Sequence, residues 1–288
     1  MGKEAGKTAS GPTALIAIEQ YWPKEERVVD DDLAYRVLPL GLRAFVRLIR
    51  PGWARSLMIK ASERDIPGMW SGMLCRKRYI QERLSESIGQ IDAVVNLGAG
   101  MDTLLYRLPA LAGTRVWEAD LPENIGVKEM GLRRVFKELP ANVTLVPIDF
   151  DRQDLGSVLE SHGYSADLRT FFVWEGVTQY LTEVGLRSTF GFLSAAAAGS
   201  RLAFTYVRRD FIDRRVMYGW EKAHAKYVDK GIWLLGMEPE DLARFVADYG
   251  WRLVEDLCYD DLSQRYVAPT GRKLATTAVE RIAFAEKM

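Results

Sequence analysis

The chain predicts an α/β fold, a mostly parallel, doubly wound sheet preceded by a helical segment. Three observations predict it. Ala93-Val94-Val95-Asn96-Leu97 is a short apolar run that passes directly into Gly98-Ala99-Gly100 and then a helix start, the strand-turn-helix order that receives a nucleotide. A second run from Thr114 ends on Glu118 and Asp120, about twenty residues past the glycines, where an acid that binds ribose hydroxyls belongs. From Asp92 onward strand-like and helical runs alternate, and alternation implies a parallel sheet.

Residues up to about Glu86 read as helical. Leu42, Phe45, Val46, Leu48 and Ile49 recur at helical spacing between Pro39 and Pro51, and Tyr79, Ile80, Leu84 and Ile88 form a second stripe, both expected mostly in the core. Strands are predicted at 93–97, 114–119, 143–148, 170–174 and 201–207. A helical, aromatic-rich stretch at 208–235 precedes a helix at 239–249 and two closing strands near 251–258 and 279–285. Two strands in succession suggest a reversed pair at one edge. The chain therefore divides into residues 1–86, a helical cap and lid, and 87–288, a nucleotide-binding domain with a helical insertion at about 208–235. The glycine-rich stretch from Gly2 to Gly11 is expected to be mobile.

The 288 residues suffice for one large core and an appended subdomain, and 48% hydrophobic content is ordinary for a globular chain. Lys plus Arg and Asp plus Glu are 39 each, so no global basic field exists to hold nucleic acid or an acidic membrane. A small-molecule or peptide partner is the expectation, and oligomeric state has no signal. Cys75 and Cys258 are too few for a disulfide framework or a zinc cluster, and no metal is expected. Lys3 and Lys7 precede the apolar run from Ala14 to Ile18, which Glu19 ends too early for a secretory signal. Gly6 sits where myristoylation wants Ser or Thr. No stretch reaches membrane-span length, so a cytoplasmic location is expected.

The turn itself fits NAD, FAD or S-adenosylmethionine alike, or a tight βα connection that binds nothing. The third glycine of the dinucleotide fingerprint is absent, with Thr103 in its place after Asp102, which weakens the NAD reading. An NAD-dependent oxidoreductase and a non-catalytic cofactor-binding protein stay open as alternatives. Glu118 and Asp120 lie on one strand, and Asp120 is the candidate ribose ligand. Asp149 and Phe150, after the third strand, stand where an adenine edge would lie, an acceptor for the exocyclic amine and a ring to cover the base; a turn Asp beside a core Phe is the plainer alternative.

Several blocks in order carry a family resemblance. Asn96-Leu97-Gly98-Ala99-Gly100-Met101-Asp102-Thr103, Tyr106-Arg107-Leu108 and Glu118-Ala119-Asp120-Leu121-Pro122, with Thr13-Ala14-Leu15 and Cys75-Arg76-Lys77-Arg78-Tyr79-Ile80 upstream and Trp174-Glu175-Gly176-Val177-Thr178-Gln179-Tyr180-Leu181 downstream, resemble the leucine carboxyl methyltransferase family and its bacterial O-methyltransferase branch. The resemblance implies a Rossmann-like class I methyltransferase sheet with an antiparallel C-terminal strand. It also implies S-adenosyl-L-methionine as cofactor and methylation of a carboxylate or hydroxyl. On the same ground Arg76 would pair with the cofactor carboxylate, with Arg78 as second choice, Glu175 would meet its ammonium, and Asp120 is favoured for the ribose. Gly98 and Gly100 would let the backbone approach, and Asp102 suits either an N-cap or a ligand contact.

Substrate contacts are expected from the insertion, where Tyr206, Arg208, Arg209, Tyr218, Trp220, His224, Tyr227 and Trp233 gather, with Tyr180 lining the pocket or merely packing. Arg208 or Arg209 could anchor an anion, although solvated charges are commoner. Of two histidines, His162 sits in a Ser-His-Gly turn and His224 is the one placed to act as a base.

Overall fold

In a computed structural model residues 10–288 are described; Lys3, Gly6, Lys7 and nearly all of the stretch expected to be mobile lie outside the described residues. The described chain leads with α1 (Gly11–Glu19), α2 (Leu40–Leu48), α3 (Gly52–Asp65) and α4 (Met69–Ser87), with a further α-helical turn at Ala34–Val37 between α1 and α2. They are followed by β1 (Ala93–Leu97), β2 (Arg115–Asp120), α5 (Pro122–Phe136), β3 (Val143–Pro147), α6 (Leu155–Ser161), β4 (Thr170–Trp174), α7 (Glu183–Ser194) and β5 (Arg201–Val207). The chain closes with α8 (Pro239–Ala247), β6 (Trp251–Cys258), α9 (Tyr259–Tyr266) and β7 (Glu280–Lys287).

The seven strands run in the order β3-β2-β1-β4-β5-β7-β6. Only β7 is reversed, pairing antiparallel with both β5 and β6. The last strand is therefore interior, and β6 takes the edge where sequence reasoning put a reversed pair. Every residue of β1 and β4 is buried, as strands covered on both faces must be. Alternate residues divide between two cores: Val94, Val116, Phe171 and Phe284 meet the leading helices, while Val95, Trp117, Phe172 and Trp174 meet the opposite layer. The helix α4 packs on β4 and β5, so the leading segment shares a core with the sheet. The direction of winding switches between β1 and β4, and their carboxyl ends open the crevice where ligands of doubly wound folds bind.

The α2 stripe departs from its expected burial. Val46 is buried, Leu42 and Ile49 are half-buried, and Phe45 and Leu48 are exposed.

Buried polar links hold the layers in register. Asp31 accepts from the Leu33 and Ala34 N–H groups at 3.0 Å and receives the Thr103 hydroxyl, tying the leading segment to the turn after β1. Glu19 on α1 pairs with Arg272 at 2.5 Å. Behind β2, Glu118 is fully buried and meets Lys128 of α5 at 2.7 Å and the Tyr106 hydroxyl. Burial pushes the Glu118 carboxyl up, against the opposing pull of Lys128. Removing one member of such a pair strands the other's charge in a dry interior. Lys128→Ala is thus expected to cost about 3 kcal/mol or more in urea unfolding, and Lys128→Ala with Glu118→Gln to recover part of it; equal loss in both would show that the pair is not coupled.

Candidate active site at the carboxyl edge of the sheet

A cavity of about 350 Å³ opens at the carboxyl ends of β1, β2 and β4, roofed by α1, the start of α4 and the insertion after β5. Its floor is the glycine turn. The Gly98 and Ala99 N–H groups donate to the Ala119 carbonyl at 2.7 and 3.1 Å, stitching the turn to β2. Gly98 has φ +74° and a Cβ there would run into Val177, so both conformation and space require glycine. Asp120, at the end of β2, accepts from the Gly100 N–H at 2.6 Å, the Leu121 N–H at 2.6 Å and the Asn124 side chain at 2.7 Å.

Above the turn lies a buried ion cluster built from four separate segments. Arg76 of α4 donates through Nε to Glu175 at 2.6 Å and through Nη1 to Glu280 at 2.8 Å. Lys77 reaches Asp102 at 3.0 Å and the other oxygen of Glu175 at 2.8 Å. The Tyr259 hydroxyl donates to Glu280 at 2.6 Å. Gly176, at φ +68°, would place any Cβ 3.2 Å from Arg76 Nη2, so glycine there lets the guanidinium close on the turn. Burial alone would raise the Asp102 carboxyl, but the charges of Lys77 and Lys128 hold it down to about 2. Burial likewise works against the charge on Arg76 and Lys77, yet their carboxylate partners keep both protonated. Asp102 also accepts from the Leu104 N–H at 3.0 Å, so it caps the following turn and joins the cluster at once. With Asp120, the lining carries two cations and four carboxylates, an excess of negative charge.

The far end of the cavity is apolar and aromatic. Trp233 stacks on Tyr227 at 4.9 Å and meets Tyr180 edge-on at 6.4 Å, with Trp220, Met69 and Met73 beside them. Two buried polar atoms there have no hydrogen-bond partner, Gln179 Oε1 and Trp233 Nε1.

Of the residues singled out from sequence, Arg76, Gly98, Gly100, Asp120, Glu175 and Tyr227 line this cavity, as do Thr13, Leu15, Asp102, Tyr180, Trp220 and Trp233. Others do not. The Asp149 N–H donates to Gln153 Oε1 at 2.9 Å and its carboxylate lies 3.6 Å from Arg152, and Phe150 packs into the core beyond the sheet. Arg78 is exposed on the outer face of α4. Tyr206 is buried with its hydroxyl on Asp256 at 2.9 Å. Arg208 and the Tyr218 hydroxyl are both spent on Asp210, at 2.8 and 2.6 Å, and Arg209 pairs with Asp213. His224 is enclosed within the insertion, its ring against Phe211 at 5.3 Å, Nε2 3.4 Å from the Ile212 carbonyl and Nδ1 3.1 Å from Asp229 without hydrogen-bond geometry. It is buried and does not line the cavity. Sequence reasoning passed over Lys77, Asn124, Gln179 and Glu280 as site groups; Lys77 and Gln179 had a signal, their places beside Arg76 and Tyr180 in the resembling blocks.

The depressed Asp102 has a pH consequence. Its folded pKa lies below its unfolded value, so its contribution is present above about pH 4 and lost as pH falls toward 2. Asp102→Asn is expected to flatten the acid limb of a stability-versus-pH curve by about 2 kcal/mol, read by urea unfolding; an unchanged limb contradicts the pairing.

The model of the leucine carboxyl methyltransferase family matches residues 9–194. A Mycobacterium avium (strain 104) protein, assigned the name S-adenosyl-L-methionine-dependent methyltransferase, is 31% identical over 234 residues, 78% of this chain and 74% of its own. A Mycobacterium marinum (strain ATCC BAA-535 / M) protein of the same name is 31% identical over 223 residues, 76% and 70% of the two chains. Among solved structures, a DUF574 family protein from Streptomyces avermitilis superposes with TM-score 0.58 at 13% identity, covering 82% of this chain and 91% of that one. A structure titled as a methyltransferase from Thermobifida fusca gives 0.56 at 16%, covering 81% and 88%. At such identities the superpositions speak for the fold alone, a class I methyltransferase sheet with its reversed seventh strand. The chain belongs to the leucine carboxyl methyltransferase family.

Proposed function

We propose that the protein is an S-adenosyl-L-methionine-dependent O-methyltransferase that esterifies a carboxylate, with a hydroxyl as the second choice, on a small-molecule or peptide-borne acceptor. The observation that carries this reading is the meeting, in one cavity, of the glycine turn and Asp120 with the acid-rich cluster of Arg76, Lys77, Asp102, Glu175 and Glu280. The cofactor has a net positive charge, and the lining has a negative excess.

The donor set suits each part of that ligand. Asp120 is placed to accept from ribose hydroxyls, and the turn at Gly98 and Gly100 lets main chain approach. Arg76 and Glu175, paired with each other at 2.6 Å, are an ion pair of the sense that a zwitterionic amino-acid end complements: guanidinium for the carboxylate, carboxylate for the ammonium. The Ile148 N–H donates to the Asp120 carbonyl at 2.8 Å, so the segment after β3 begins beside the ribose acid. We assign the adenine edge to that segment, although the Asp149 and Phe150 side chains themselves lie outside the cavity.

When bound, the cofactor supplies a methyl carbon on a cationic sulfur, open to in-line displacement by an acceptor oxygen. The protein's task is to hold that oxygen against the carbon and exclude water. A carboxylate is already ionised near neutral pH and needs no base, whereas a hydroxyl usually does. Among the described residues neither histidine lines the cavity, which favours the carboxylate. Trp233 and Tyr227 offer apolar faces for the acceptor's body, and the unpartnered Gln179 Oε1 and Trp233 Nε1 are available to its polar groups.

Calorimetry with S-adenosylhomocysteine is expected to show binding that Asp120→Ala and Arg76→Ala each weaken by about 10- to 100-fold, with no heat from NADH. Unchanged affinity in both variants removes the site assignment. With methyl-labelled donor and cell extract, label released as methanol by mild base indicates a carboxyl ester, base-stable label a hydroxyl acceptor, and tight binding without transfer a cofactor-binding protein.

A further inference from the structure

A neutral chain conceals one strongly basic segment. Residues 33–62 hold Arg36, Arg43, Arg47, Arg50, Arg55 and Lys60 and no acid at all. The stretch covers α2 and α3 as far as Ser62, with Glu63 and Asp65 following in the last turn of α3, and it exposes large apolar side chains at unusual density. Leu40 and Leu48 are 73% exposed, Trp53 74%, Leu57 64% and Phe45 43%, five of the eleven exposed large hydrophobics among the described residues. Their spacing is regular. Leu40, Ala44 and Leu48 stand four apart on α2, and Trp53, Leu57 and Ala61 four apart on α3, all exposed, so each helix turns an apolar stripe toward water, while Val46 of α2 and Met58 and Ile59 of α3 pack toward the core.

We propose that this face docks on an anionic lipid surface. A solvent-facing stripe is costly in a lone molecule, and here each is interleaved with long cationic side chains. Among the described residues Arg36, Arg47, Arg50 and Lys60 are exposed and in no ion pair. Such side chains lay their stems along apolar surface and lift their charges to phosphate level, while Trp and Leu enter the acyl boundary. The segment has few groups able to read a specific partner, Ser56 and Ser62 among them, and no carboxylate to repel a phosphate. That composition fits a sheet of like charges better than a folded protein, whose surface mixes both signs. The residue after α3 is Ile66, which lines the cavity, so a docked cap would bring the acceptor end near lipid-dissolved molecules. Docking stands on the surface alone and does not depend on the cofactor reading.

Flotation of the full chain with phosphatidylcholine vesicles, with and without phosphatidylglycerol, tests it. Binding is expected only with phosphatidylglycerol, to weaken with added salt, and to fall at least about tenfold in Leu48→Ser with Trp53→Ser and in Arg47→Glu with Arg50→Glu. All four side chains are exposed, and unchanged thermal melting of the variants confirms that the fold survives. No binding, equal binding to neutral vesicles, or binding indifferent to both double variants overturns the proposal. Concentration-dependent self-association abolished by Leu48→Ser with Trp53→Ser would equally overturn it, since a second copy would then be what covers the face.

Discussion

Arg76 and Lys77 are buried beside three carboxylates that come from the turn after β1, the end of β4 and the start of β7. Burying so many charges is tolerable only because each meets an opposite one at hydrogen-bond distance, and this requirement joins α4, the glycine turn and the reversed strand into one rigid corner. The cavity exists because that corner is held open over the sheet. Its charge is not balanced, since the carboxylates outnumber the cations, and Asp120 adds to the excess. The same interaction that fixes the architecture thus selects for a cation.

Much of this was legible in the sequence because the signals are local. A buried strand running into glycines, an acid closing the next strand, and alternating elements each need only a few adjacent residues, and β1, β4 and β5 fall where the pattern puts them. Arg76 and Glu175 were legible through resemblance to a family whose blocks recur in order. Glu280 was not: it lies 204 residues from Arg76 and reaches the site only because β7 inserts between β5 and β6. That insertion is long-range pairing, invisible to periodicity. After β5, Trp220, Tyr227 and Trp233 do reach the cavity, but Arg208, Arg209, Tyr218 and His224 misled for the opposite reason. Their composition suggested a binding surface, but Arg208 and Tyr218 satisfy each other's neighbour Asp210, and His224 is walled in by Phe211. Composition names candidates; the partners they find decide which face the cavity.

Net charge misled in the same way. A sum of zero over the chain says nothing of its distribution, and the sequence holds both an acid-rich cavity and a stretch, residues 33–62, with six cations and no acid. The helix α3 links the two, since its outer face carries Trp53 and Leu57 and its end leads to the cavity at Ile66. Exposed Leu48 and Phe45 broke the expectation that a helical apolar stripe belongs to the core. The helix is amphipathic in both senses, with Val46 inward and Leu40 outward.

The most direct test of the central claim is a crystal structure of the protein soaked with S-adenosylhomocysteine. The account predicts density across the corner, with the ligand's amino-acid end between Arg76 and Glu175 and its ribose hydroxyls on Asp120. A ligand bound elsewhere, with the Arg76–Glu175–Glu280 cluster undisturbed and no density over Gly98, would contradict it.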